Sequence, residues 1–298
     1  MSPNIRASLY MVLAMAGFTI NDALVKSLGS ALPISQVMAL RGLSLSVLII
    51  ALLWQQGLLL RIKDIFTPLV GFRASMELGS TLLFLAALAT LPLANISAIL
   101  QALPLAVTVG ATLVFAEPVG WRRWLAITIG FLGVLIIIRP GVDGFEMASL
   151  LVVVSVLFAA ARDLASRALP ESLPSLLVSA ATAFLVTLFG FATLLIKGNW
   201  VQPDFHQLKM LMLASIFLFF GYQFIVLAMR TGEVSYVVPY RYTSLLWSIF
   251  LGYLFYAEVP DSFTLIGSAI VVSMGLFTLY REFVNTRRLK LQRLSEDS

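Results

Sequence analysis

Cysteine is absent and histidine occurs once, at His206. The first absence excludes disulfides and thiolate metal sites. The second removes the histidine partner that an intramembrane serine protease needs beside its nucleophile, and with it an ordinary metal site. Charge is scarce as well: Asp, Glu, Lys and Arg make up 12% of the 298 residues, about half of the quarter that soluble domains carry. No G-x-x-x-x-G-K-[ST] segment is present to cradle a nucleotide phosphate. No long polar stretch is available for a soluble sensor or scaffold domain. No metal and no cofactor are therefore expected, and the chain is not read as an enzyme.

What is present is apolar. Hydrophobic residues form 60% of the chain and its mean hydropathy is +0.96, too much for one water-facing core, so lipid is the expected solvent. A membrane helix takes about 20 mostly apolar residues. Ten such runs are read at Ser8–Leu28, Ser35–Trp54, Leu69–Thr90, Asn95–Phe115, Trp121–Ile138, Met147–Leu169, Ser175–Ile196, Leu208–Met229, Ser235–Tyr256 and Ser262–Arg281. The first is too long for a cleavable signal peptide and is expected to stay as a span. Proline marks most of the breaks: Leu32-Pro33, Leu91-Pro92, Glu117-Pro118, Arg139-Pro140-Gly141, Leu173-Pro174 and Val259-Pro260. Connections this short force neighbouring helices to run antiparallel. The net charge of +5 is scattered between apolar runs, which speaks against nucleic acid. With the N-terminus in the cytoplasm, loop cations divide 12 to 4 in favour of that side, so both termini are expected to be cytoplasmic. The segment Arg287–Arg293 is expected to lie against anionic headgroups or to be a solvated tail.

The chain repeats itself. A shift of 141 positions lays Ala7-Ser8-Leu9 on Ala148-Ser149-Leu150, Asp22 on Asp163, Pro33 on Pro174, Gly57 on Gly198, Ala87 on Ala228 and Ala116-Glu117 on Ala257-Glu258. Each copy holds five spans, and an odd number makes the second copy enter from the opposite face. The expected fold is thus an all-α membrane protein: ten transmembrane helices as two inverted five-helix repeats around a central cavity. The parts are residues 1–141, the inverted residues 142–282, and a basic tail at 283–298. Such symmetry suits a transporter, because two like halves expose one midplane site to either side in turn.

Two segments carry a resemblance: LPLANISAILQALPLAVTVGATLVFAEPVGWRRWLAITIGFLGVLIIIRPG and TGEVSYVVPYRYTSLLWSIFLGYLFYAEVPDSFTLIGSAIVVSMGL. Each has an Ala/Pro-rich span, a glutamate at its end, an aromatic opening the next span, then small residues. The chain resembles the EamA-type family of the drug/metabolite transporter superfamily over nearly its whole length. Within it, the chain is most similar to bacterial amino-acid exporters, including the aromatic amino acid exporter. The second copy departs from the pattern: Phe263 stands where Trp121 would lead one to expect tryptophan, and one residue must be inserted to bring Gly133 onto Gly275. The resemblance implies a basket-like bundle with a central substrate cavity, export from the cytoplasm of a bacterial inner membrane, and no ATP hydrolysis.

Ionisable groups inside spans cost roughly 2.5–3.5 kcal/mol on insertion scales, so each needs a reason. Asp22 and Arg41 fall at similar depth and are read as a pair. Arg73, Arg162, Asp163 and Arg241 gather toward the face of the chain ends, and Glu77 lies one turn from Arg73, at a spacing that allows a bond along one helix. Asp22 and Asp163 are repeat mates, so the gate or ion-pair set is Asp22, Arg41, Arg73, Arg162, Asp163 and Arg241; static ion pairing is the competing reading. Cavity candidates follow by helical spacing: Met15, Phe18, Glu77, Ser80, Phe84, Gln101, Phe158, Tyr222 and Tyr240. One cation, one anion and an aromatic wall suit an amino acid or similar metabolite. Cationic-drug export and sugar-phosphate or nucleotide-sugar carriage are the alternatives within transport. The expected partners are the small-molecule substrate and the bilayer, with a monomer sufficing.

Overall fold

The computed structural model describes residues 3–29, 31–116, 119–140, 146–170, 172–232 and 234–296. Side chains at Arg230, Val234, Ser235, 282–283 and 285–296 fall outside that description, as do the Glu117-Pro118 break, Gly141, and the side chains of the basic tail. The helices are α1 (Pro3–Lys26), α2 (Ile34–Gln55), α3 (Pro68–Leu88), α4 (Leu93–Leu100), α5 (Leu103–Phe115), α6 (Trp121–Ile138), α7 (Ala148–Arg167), α8 (Ser175–Lys197), α9 (Phe205–Thr231), α10 (Val234–Val237), α11 (Thr243–Tyr256) and α12 (Ser262–Glu296). Two 3-10 turns, Leu59–Ile65 and Val238–Tyr242, complete them. The described residues contain no strand.

Local chemistry sets the boundaries. Pro33, Pro92 and Pro174 stand immediately before α2, α4 and α8 in extended backbone, where a missing N–H costs nothing. Thr67 accepts the Val70 N–H to open α3, and Asp204 and Gln207 form a reciprocal capping box on α9. Asp261 accepts the Thr264 N–H at 2.8 Å and pairs with Arg139. Partial burial works against its charge, but the Thr264 and Arg139 contacts outweigh this and hold the carboxyl below the usual range. Its folded value is depressed, so its stabilisation is present above the unfolded value and lost only as pH falls through the folded one.

Among the described residues nine helical segments, with α4 and α5 counted as one, are long and apolar enough to span a bilayer. The tenth crossing, Val234–Tyr256, is broken. Two spans read as continuous are therefore interrupted. α4 gives way to α5 at Gln101–Ala102, just before Pro104, and α10 gives way to α11 through the turn containing Pro239. Gln101 and Tyr242 are 141 apart, so the breaks are repeat mates.

The packing shows the inverted symmetry directly. α1 lies on α9 and, equivalently, α7 on α3; α2 pairs with its own mate α8, and α6 with α12. Ser46 and Thr187, themselves repeat mates, meet hydroxyl to hydroxyl at 3.4 Å where α2 crosses α8. The backbone repeats too. Gly57 and Gly198 have φ of 67° and 59°, and the helix-ending Ala116 and Ala257 have φ of 52° and 53°, a left-handed conformation that non-glycine residues seldom adopt.

Side chains sort as lipid demands. Leu43, Val47, Leu132, Leu188, Leu246 and Phe250 point outward, while Ser46, Ser80, Ser155, Ser215, Ser248 and Thr278 are buried. Small polar residues let helices approach closely and satisfy their hydroxyls across or along helices. Trp54, Trp121, Trp124 and Trp200 are exposed at or near helix ends, where interfacial tryptophans sit.

Candidate functional site

Four arginines and three carboxylates occupy the interior between α1, α2, α3, α7 and the turn before α11. At their centre Arg162 of α7 reaches Glu77 of α3, Nη1 to Oε2, at 2.6 Å. The same guanidinium grips Asp163 Oδ1 at 2.8 Å through Nε and Nη2. Side-chain exposures of 20%, 14% and 31% for Arg162, Glu77 and Asp163 place this triad away from bulk water. Charge-assisted contacts there are short and strong, and each charge depends on its partner.

The triad separates two hollows. One, of about 280 Å³, is walled by the mated helix breaks: Gln101, Leu103 and Pro104 on one side, Val238, Arg241, Tyr242 and Ser244 on the other, with Met15, Asp163, Gly275 and Thr278. Gln101 Nε2 donates to Ser244 Oγ at 2.8 Å. The Tyr242 hydroxyl is buried with no hydrogen-bond partner among the described residues and stands against Gly275, where a side chain would collide with it. The other hollow is smaller, about 70 Å³, lined by Arg41, Arg73, Glu77, Thr182 and Tyr222. It shares Leu45, Ile49, Ser179 and Tyr222 with a 240 Å³ space that reaches Gln56 and Ser175, at the helix ends on the face that holds both chain ends.

The expected residues fall into three groups. Met15, Glu77, Gln101, Arg41, Arg73, Asp163, Arg241 and Tyr222 line the hollows, and Arg162 divides them. Others sit in helix contacts instead. Ser80 and Ser155 exchange hydroxyl bonds at 2.9–3.1 Å, and Phe158 lies against Gly79. Phe18 packs edge-on to Tyr222 at 5.3 Å, Phe84 joins the large apolar cluster, and Tyr240 stands beside Tyr236. Two pairings differ from the sequence reading. Arg73 bonds Ser166 and Thr182 rather than Glu77, because α7 brings a competing arginine to Glu77. Asp22 and Arg41 form no ion pair within 4 Å: Asn21 stands between them, donating to Asp22 at 2.8 Å and facing Arg41 at 3.5 Å. Asn21, Tyr242 and Ser244 were not among the expected site residues. The prolines inside two mated spans were the available signal, since interrupted helices in corresponding positions point to transporter sites.

The model of the EamA-like transporter family matches the chain twice, at residues 5–139 and 146–280. This chain belongs to the EamA-like transporter family. It is a membrane transporter of small molecules and not an enzyme. The chain is 29% identical to a riboflavin transporter of Rhizobium johnstonii over 69% of its own length and 68% of that protein's. It is 24% identical to an S-adenosylmethionine uptake transporter of Rickettsia felis over 92% of each chain. A pseudopaline exporter of Pseudomonas aeruginosa matches at 25% over 89% of this chain and 92% of its own. The printed names thus include both uptake and export. A crystal structure with 17% identity aligns over 95% of this chain and 98% of the other with a TM-score of 0.65, which shows the shared fold.

In this EamA-like transporter the face opposite the chain ends carries polar ties between the repeats. Lys26 pairs with Glu258 at 2.7 Å, Glu258 accepts the Leu93 N–H at 2.8 Å, and Gln36 bonds the Val201 backbone twice, at 2.6 and 3.0 Å. Lys26 also lies 5.4 Å from the Tyr256 ring. Its mate Arg167 lies 5.0 Å from Phe115, the mate of Tyr256, so a related contact recurs at the other mouth. Glu258→Gln removes the charge of a half-buried pair at that face. A loss of about 1.4 kcal/mol shifts a two-state ratio tenfold. Alkylation of a cysteine placed at Ser244 is therefore expected to quicken about tenfold from the face opposite the chain ends, and an unchanged rate would show that the pair is no latch.

Proposed function

We propose that this transporter exports amino acids and related small metabolites across a bacterial inner membrane by alternating access, with both termini in the cytoplasm. The observation that carries the reading is the pair Asp163 and Arg241, opposite charges lining one hollow at the mated helix breaks with no ion pair between them within 4 Å, Asp163 being held through Oδ1 by Arg162. An α-amino acid presents one ammonium and one carboxylate to such a site. Asp163 takes the first and Arg241 the second, while Met15, Leu103 and Val107 receive the side chain. The hollow lies near the lower end of ligand-pocket volumes, in keeping with a small solute. The 12-to-4 distribution of loop cations supports the orientation. A lipophilic cation is the poorer substrate, since arginines outnumber carboxylates in this interior by four to three.

Asp22 and Asp163, one from each repeat, serve as gate residues in this reading. The test is counterflow in proteoliposomes with labelled amino acids, sugar phosphates and cationic dyes, with and without a pH gradient. Amino acids are expected to exchange. Arg241→Gln, and Asp22→Asn combined with Asp163→Asn, are each expected to slow that exchange about tenfold or more, the loss of one charge-assisted bond, at similar folded yield. Wild-type flux in Arg241→Gln, or exchange of cationic dyes alone, would contradict the amino-acid assignment.

A further inference from the structure

We infer that the hollow between α2, α3, α8 and α9 is a separate binding site for an acidic group, a carboxylate or phosphoryl, on the transported solute. Two guanidiniums face it, and among the described residues neither has a carboxylate within 4 Å. Among the described residues Arg73 bonds hydroxyls, Ser166 at 3.1 Å and Thr182. Arg41 has the Asn21 amide oxygen, at the outer limit of hydrogen bonding, 3.5 Å. Glu77 is the one acid in the lining, and its Oε2 is already engaged by Arg162 at 2.6 Å. The lining therefore carries two guanidiniums against one carboxylate that Arg162 already holds, in a chamber enclosed by four helices, with Asp22 beyond Asn21 on the Arg41 side.

Such charges are expensive in a low-dielectric interior unless paired. Guanidinium groups match the two-oxygen edge of a carboxylate or phosphate with paired N–H donors, a match that a lysine ammonium lacks. The chamber is continuous with the space reaching Gln56 and Ser175, so a soluble anion has a path to it from the face of the chain ends. The Asp163 and Arg241 hollow is a different environment, since an acid, itself held by Arg162, lines it together with one arginine. This site rests on the transporter reading and narrows its substrate class to solutes with an acid group beyond an α-carboxylate.

The experiment uses the full chain in nanodiscs of phosphatidylcholine, which brings no anionic lipid. Thermal unfolding is followed with succinate, glutamate, glutamine or inorganic phosphate, against chloride at equal ionic strength. Succinate, glutamate and phosphate are expected to raise the midpoint saturably, and glutamine much less. Arg41→Gln and Arg73→Gln are each expected to weaken this protection about tenfold. Arg73→Lys, which keeps the charge and guards against a folding defect, is expected to retain part of it, and the surface variant Lys197→Gln all of it. Protection equal to that of chloride, equal protection in the arginine variants, or protection only by added phosphatidylglycerol would overturn the site. Binding is read here without transport. Anion protection without counterflow of amino acids ends the amino-acid export proposal alone; counterflow of glutamine with no anion protection ends this one alone.

Discussion

Arg162→Gln is expected to abolish counterflow and to lower the thermal midpoint more than any other single charge substitution in the chain. Arg162 pairs with Glu77 at 2.6 Å and Asp163 at 2.8 Å, and glutamine leaves both carboxylates without their ion-pair partner inside the bundle. Removing one partner of a buried pair typically costs 3–5 kcal/mol, about the upper limit here given the partial exposure of Asp163. Glu77→Gln leaves Arg162 its Asp163 contact and is expected to cost less, while altering transport or its pH dependence if that carboxylate handles substrate or proton. The double variant Arg162→Gln with Glu77→Gln is expected to regain much of the lost stability and none of the flux. That non-additivity separates a stability role from a transport role. Flux near wild type in Arg162→Gln at equal yield would mean that the division between the two hollows has no part in transport.

Gly190→Val is expected to cause the largest loss of folded protein. A side-chain carbon at Gly190 would stand 2.6 Å from Ala39 N and 2.8 Å from Ser35 O. Both are backbone atoms of α2, which cannot rotate aside as a side chain does. The clash falls where α8 meets its own mate, so α2 and α8 must separate and disturb the contact on which the inverted halves are matched. Overpacking of this kind costs about 1–3 kcal/mol even when the core adjusts, and close helix approach is a main source of stability in lipid. Gly71→Ala provides the comparison, because nothing lies within 4 Å of a side chain there, and alanine favours a helix by about 1 kcal/mol. Size-exclusion profiles after detergent extraction are expected to show little monodisperse Gly190→Val and a normal yield of Gly71→Ala. A normal profile for Gly190→Val would contradict the tight α2–α8 crossing.

The repeat was legible because its markers are local. Proline ahead of a helix, glycine or alanine ending one, and an acid near a span end all survive a shift of 141 positions, and the structure returns them as paired φ values at Gly57 and Gly198 and at Ala116 and Ala257. The broken helices were not read, because a membrane span tolerates proline where neighbouring groups satisfy the freed backbone; Pro104 and Pro239 alone do not say whether that happens. Spacing along α3 put Glu77 beside Arg73. Only the packing of α7 on α3 brings Arg162 close enough to take Glu77, and leaves Arg73 to hydroxyls on α7 and α8. The aromatic candidates divided for the same reason. Helical periodicity puts Phe18, Tyr222 and Phe158 on inward faces, but whether an inward face meets another helix or a hollow depends on glycine at the opposing position, Gly221 for Phe18 and Gly79 for Phe158.

The absence of native cysteine makes one measurement direct. Ser244→Cys puts a single thiol at the mated helix breaks, and an impermeant maleimide can then be applied to reconstituted protein from one face at a time. Two inverted repeats around an alternately exposed centre predict labelling from both faces, with each rate changing in opposite directions when Glu258→Gln is added. A thiol that no reagent reaches from either face, or that is reached from one face alone in both proteins, would contradict it.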